Sequence, residues 1–197
     1  MYQRKIKETH FYEKNIEDNS DSEQSDVETN ATTYTYTNAP ISQKLLEQIS
    51  FILKNIIKNK KTNFPKESEK IFYHPKVPEI SIYDYLYRIK KYSLIEDSTL
   101  IISLIYIDRV CNNKGIILTK YNIHRILFSA IFVALKFNED IFYKTSFYAK
   151  IGGISTKELI NLENAFIKLI DFKFFVSEEI FKTYSRYLKS YNKRNNN

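Results

Sequence analysis

From Ile80 onward, apolar positions return every three or four residues and alternating runs are nearly absent, which is the period of helices laid against a core and not of half-buried strands. The pattern predicts helices near 81–92, 97–112, 120–137, 155–171 and 177–190, with a short helical turn around 142–149. Upstream, Leu45, Leu46, Ile49, Phe51, Ile52, Leu53, Ile56 and Ile57 mostly keep the same period after Pro40. They predict a further helix of about four turns, whose trailing basic run Lys58-Asn-Lys-Lys61 suits the negative end of a helix dipole. Residues 62–79 carry Pro65, Pro75 and Pro78 among polar neighbours, so an extended, wrapping connection is expected there rather than a helix.

The breaks between elements have local causes. Gly115 follows Asn112-Asn-Lys, and Gly152-Gly153 interrupts the pattern before Ser155 and Glu158, a pair spaced as a capping box in which each side chain satisfies an orphan amide. Ser177, followed by Glu178 and Glu179, offers a cap and then anions to the positive end of the last helix. The segment Ile123–Phe137 is apolar over most of its circumference, and such a helix must be surrounded by others. Its small residues Ser129, Ala130 and Ala134 permit close approach of neighbours. The pattern therefore predicts an all-α bundle wrapped around one middle helix.

Composition sharpens this picture in three places. Residues 1–39 are polar and lack an apolar period, so they are read as a disordered tail, with Glu17, Asp18, Asp21, Glu23, Asp26 and Glu28 gathered in it. Ser20 and Ser25 each precede an acidic residue by three positions, the spacing acidophilic kinases favour. The globular part is therefore more basic than the chain's formal charge of +7 suggests, and its scattered lysines are read as a solubilising surface rather than as nucleic-acid recognition. Cys111 is the one cysteine and has no partner for a disulfide or zinc cluster, and the charged N-terminus has no apolar run of the kind a secretory signal needs. A reducing compartment, cytoplasm or nucleus, is expected, with no membrane-spanning segment.

Catalytic signals are missing. His10, His74 and His124 belong to no His-x-x-x-His string, Cys111 sits near the end of an apolar helix where a small buried thiol is the common case, and three glycines leave no phosphate-cradling loop or nucleophile elbow. No catalytic residue, metal site or cofactor is assigned.

Several strings nevertheless occur in a recognisable order: Ile80-Ser-Ile-Tyr83, Tyr85-Leu-Tyr-Arg-Ile-Lys-Lys-Tyr92, Tyr106-Ile-Asp-Arg-Val110, Asn122-Ile-His-Arg-Ile-Leu127, Val133-Ala-Leu-Lys-Phe137, Tyr148-Ala-Lys-Ile-Gly-Gly153 and Glu158-Leu-Ile-Asn-Leu-Glu163. In this order they resemble the cyclin box. The first, the His-Arg string and the Tyr-Ala-Lys-x-Gly-Gly string resemble P/U-type (phosphate-regulation type) cyclins in particular. The resemblance implies a five-helix cyclin box over 80–190 and an N-terminal helix with its Pro-containing connection over 40–79, and it leaves outside it the polar tail 1–39 and a polar C-terminal tail 191–197. It also implies a regulatory subunit that binds and activates a cyclin-dependent protein kinase, monomeric apart from that heterodimer.

The same resemblance assigns residues. Lys136 and Glu163 correspond to the pair that cyclins present to the kinase, with Phe137, Ile167, Phe172 and Phe174 forming an apolar surface beside them. Arg88 and Asp108 correspond to a structural ion pair between the first two box helices, and Glu139 with Asp140 is a possible contact for the kinase activation loop. Arg125 stands where many cyclins carry a leucine, and no substrate-docking motif of the mitotic cyclins is evident. The competing reading is a cyclin-fold transcription factor that grips nucleic acid. The two boxes and zinc ribbon usual in that class are not seen in this chain. A cyclin-like scaffold that activates nothing is a third.

Overall fold

The computed structural model describes residues 42–58 and 65–191. The expected tail 1–39, with Ser20 and Ser25, most of the basic run after Lys58 and the C-terminal residues 192–197 lie outside them. Among the described residues there are seven α-helices and no strand: α1 (Gln43–Lys58), α2 (Ile82–Ser93), α3 (Asp97–Lys114), α4 (Ile123–Asn138), α5 (Thr145–Gly152), α6 (Thr156–Leu169) and α7 (Glu178–Tyr191).

Local chemistry sets most of the ends. Ser81 caps α2 by accepting from the Asp84 amide at 3.1 Å, and Ser155 caps α6 by accepting from the Glu158 amide at 3.1 Å. Only that half of the expected capping box forms, because the Glu158 carboxylate is turned to Arg125. Gly115 and Gly153 close α3 and α5 in the left-handed region, with φ of 67° and 71°. Gly152 is required for a different reason: a Cβ built there would lie 2.3 Å from Cε1 of Phe128, so its bare backbone is what lets α5 approach α4.

The middle helix is as buried as its sequence demands. From Ile123 to Leu135 every residue of α4 except Arg125 is buried. α3 and α6 pack along it, α5 bridges α6 and α2, and α7 closes over α3 and α1. The shared core holds Leu46, Leu86, Leu100, Tyr106, Leu127, Leu159 and Phe166, each fully shielded.

The connection after α1 departs from expectation. It contains a 3-10 helix, η1 (Glu67–Phe72), packed on α4 and α6. The prolines flank this stretch rather than interrupt it, and Phe72 needs a buried seat, which it finds edge-on to Phe166 with ring centroids 6.5 Å apart.

Candidate functional site

Five of the strings quoted above, those beginning at Ile80, Tyr85, Asn122, Tyr148 and Glu158, are far apart in sequence yet converge on one end of the bundle. Tyr85 of α2 donates its hydroxyl to the Gly152 carbonyl at 3.1 Å, and Arg88 one turn later donates to the Lys150 carbonyl at 3.0 Å, so α2 holds the exposed carbonyl end of α5. His124 Nε2 lies 2.9 Å from the Ile80 carbonyl, and burial pushes the His124 imidazole below its ordinary pKa. Arg125 donates to the Ile71 carbonyl at 2.8 Å and the Tyr73 carbonyl at 3.3 Å, and pairs with Glu158. That guanidinium ties η1, α4 and α6 together, which accounts for an arginine at a position that a leucine would occupy in a purely apolar contact.

The opposite end of α4 carries different chemistry. Lys136 Nζ and Glu163 Oε1 form an ion pair at 2.6 Å, their side chains 33% and 12% exposed, with the Lys136 ammonium 5.4 Å from the centroid of the Phe132 ring. Beside them Phe137 stacks on Phe174 with centroids 3.7 Å apart, and Phe172 meets Phe174 edge-on at 6.2 Å. Phe137 is 49% and Phe172 67% exposed, while Ile167 and Phe174 are half-buried. Aromatic rings on a surface around a partly shielded ion pair form the sort of patch that marks a protein interface, because closing it removes apolar area from water and leaves the charged pair to set register. All six residues assigned to this face therefore meet in one place.

The expected Arg88–Asp108 pair and the expected role of Glu139 need correction. Arg88 and Asp108 do not pair. α2 packs on α1 and α5 and sends Arg88 to the α5 carbonyls, whereas Asp108 faces α7 and accepts from the Tyr184 hydroxyl at 2.7 Å and from the Asn112 amide at 3.0 Å. Glu139 does not point outward to a partner loop either. One of its carboxylate oxygens accepts from the Glu96 amide at 2.9 Å and the Thr99 hydroxyl at 2.6 Å, fastening the end of α4 to the start of α3, and burial pushes its carboxyl above the ordinary range. Asp140 is exposed. Cys111 is half-buried in the wall of an apolar groove between α1, α3 and α7, rather than sealed in the core.

One exposed residue beside this face, Phe175, escaped sequence reasoning. Phe175 is 83% exposed, and Tyr106 and Arg109 of α3 hold the segment that carries it. The only hint was the adjacent pair Phe174-Phe175, which in extended chain must point to opposite sides.

A cyclin family model matches residues 6–174. The chain belongs to the cyclin family. Among characterised cyclins it is 38% identical over 121 residues to Cyclin-U2-1 of Arabidopsis thaliana (61% of this chain, 54% of the relative). It is 39% identical over 129 residues to PHO85 cyclin-7 of Saccharomyces cerevisiae (59% and 45%). It is 36% identical over 169 residues to the PHO85 cyclin-like protein psl1 of Schizosaccharomyces pombe (78% and 70%). The match covers 54% of Cyclin-U2-1 and 45% of PHO85 cyclin-7, about half of each relative's length. The relatives are of the P/U type, and cyclins are non-catalytic regulatory subunits, in keeping with a chain to which no catalytic residue is assigned. No helix among the described residues of this cyclin is long and apolar enough to cross a membrane.

Proposed function

We propose that this cyclin binds a cyclin-dependent protein kinase through the Lys136–Glu163 pair and the surrounding aromatic face, and activates it. The observation that carries the reading is the 2.6 Å ion pair held at the edge of exposed, mutually stacked phenylalanines. In the free chain the two charges satisfy each other. On docking they become available to backbone groups of the kinase's mobile regulatory helix, while Phe137, Ile167, Phe172 and Phe174 are shielded from water. Because such contacts exist only when that helix is in its active position, the cyclin binds one kinase conformation more tightly than the other and shifts the population toward it. Chemistry stays with the kinase. Asp140, exposed at the end of α4, is the remaining acidic candidate for the activation segment once Glu139 is set aside. We place the complex, a one-to-one heterodimer, in the cytoplasm or nucleus.

The test is co-expression with candidate cyclin-dependent kinases, followed by pull-down and histone phosphorylation for the wild type, Lys136→Glu and Glu163→Ala. Both variants should lose capture and stimulation, by at least about 100-fold in affinity, with helicity by circular dichroism unchanged. Full capture and activation by both would remove the reading, and salt-sensitive DNA binding without kinase capture would replace it with the nucleic-acid alternative.

A further inference from the structure

The segment joining α6 to α7 presents two of the aromatic residues assigned to the docking face, Phe172 and Phe174, together with Phe175. Its backbone is not one an eight-residue loop adopts by default. Asp171 and Phe172 are consecutive non-glycine residues in the left-handed region, with φ of 54° and 57°. L-residues are disfavoured there, so the surroundings must hold them. The amides of 172, 173 and 174 are satisfied locally by the carbonyls of Ile167, Ile170 and Phe172. The next three carbonyls turn instead to α3.

There, Arg109 donates Nη1 to the Lys173 carbonyl at 2.7 Å and Nη2 to the Phe175 carbonyl at 3.0 Å, and the Tyr106 hydroxyl donates to the Phe174 carbonyl between them at 2.7 Å. Lys114, further along the same helix, pairs with Asp171 at 2.7 Å. Tyr106 is completely buried and Arg109 lies three residues on, with its Cζ 6.0 Å from the Tyr106 ring centroid, so the donors form a fixed fork rather than mobile surface side chains. Gripping three successive carbonyls sets the facing of each side chain. Phe174 turns inward onto Phe137 and Tyr106, while Phe175 is left in water. A phenylalanine so exposed gains nothing within this chain.

We infer that Tyr106 and Arg109 are positioning residues for partner capture, holding the 172–175 segment in its docking shape before the kinase arrives, and that Phe175 is a further contact residue on that face. The inference rests on the kinase-docking reading above. Its physical content is preorganisation: with the fork intact the loop is ordered in advance, and without it that ordering must be supplied at the moment of binding.

The chain has no tryptophan, so Phe175→Trp installs a single fluorescent reporter on the segment. In the full-length Phe175→Trp chain, adding Arg109→Ala or Tyr106→Phe should lower the anisotropy of that reporter and raise its quenching by acrylamide. Affinity is then measured, at temperatures well below unfolding, for the cyclin-dependent kinase that the wild type captures. Arg109→Ala should weaken it about 10- to 100-fold, Tyr106→Phe about 3- to 10-fold, and Phe175→Ala about 10-fold. Arg109→Lys, which can reach one carbonyl but not two, should fall between wild type and Arg109→Ala. A role confined to stability would lower the melting temperature without this graded loss of affinity. If Lys136→Glu abolishes capture while Arg109→Ala and Tyr106→Phe leave both reporter and affinity unchanged, the fork has no positioning role and the docking reading stands. If Lys136→Glu leaves capture intact, the docking face itself is wrong and the inference falls with it.

Discussion

Replacing Arg125 by leucine removes a guanidinium that joins three elements, and the structure says the exchange is costly. The guanidinium makes one ion pair and donates to two carbonyls of the connection around η1, at a site where its side chain is 20% and that of Glu158 30% exposed. Arg125→Leu therefore strands a carboxylate that is mostly shielded and removes two charge-assisted hydrogen bonds, each of which is worth about 1.5–3 kcal/mol when fully dry. Partial solvent access at both ends lets water restore some of this, and the leucine returns about 1 kcal/mol of apolar burial. A net loss of about 3 kcal/mol results, equivalent to a fall of about 6–12 °C in melting temperature for a domain of this size. Urea denaturation of the free chain measures it, and hydrogen exchange locates it: the amides of Glu69 and Tyr73 should lose protection before those of α4. Adding Glu158→Gln to Arg125→Leu should recover about 1 kcal/mol or more, since a neutral amide is cheaper to leave unpaired than a carboxylate. A single-variant loss below about 1 kcal/mol, or a double variant no better than the single, would refute the reasoning.

Three further outcomes follow from the same geometry. Gly152→Ala drives a methyl group into the Phe128 ring and should cost about 2–3 kcal/mol by thermal melting, whereas Gly115→Ala meets no neighbour and should cost only its left-handed backbone strain of about 1 kcal/mol. Glu139→Ala should lower stability by about 1–2 kcal/mol through loss of its bonds to the start of α3, and a loss below about 0.5 kcal/mol would contradict the placement of its carboxylate. Burial depresses the His124 pKa in the folded chain, with desolvation also lowering that of His74, so the unfolded chain binds the proton first. Stability is accordingly full above the unfolded histidine value of about 6.5 and is lost as pH falls through it toward the folded value; His124→Gln should flatten the melting-temperature profile between about pH 7.5 and 5.5, and an unchanged slope would sink the assignment.

How legible the molecule was in its residues depends on the distance over which each feature is decided. The helices of the box, their glycine and serine ends and the near-total burial of α4 were readable because apolar period and capping act within a few residues. The charged pair and the phenylalanines beside it were named through motif order, and the structure brings them together. Where reasoning failed, the answer lay across the molecule. Arg88 and Asp108 each have the right chemistry for an ion pair, but no local pattern says that α2 turns its arginine to the end of α5 while α3 turns its aspartate to Tyr184. Glu139 was read as a possible contact for a partner's activation loop, because nothing along the chain says that the start of α3 lies beside it and takes its carboxylate. The six residues of η1 lie between prolines that spoke for an extended chain, and only the seat against Phe166 makes a turn of helix worthwhile.

By itself, then, the sequence determined an all-α bundle with one buried axis, the family to which it belongs and the identity of a charged pair set among phenylalanines, because hydrophobic period, caps and ordered motifs are properties of neighbours along the chain. The tertiary structure alone decided which charges meet, that Arg125 serves as a three-way tie, and that Tyr106 and Arg109 hold the 172–175 segment from a helix more than sixty residues earlier. Hydrogen bonds between elements depend on the rotation and offset at which helices pack, and no periodicity along one helix encodes the angle at which it meets the next.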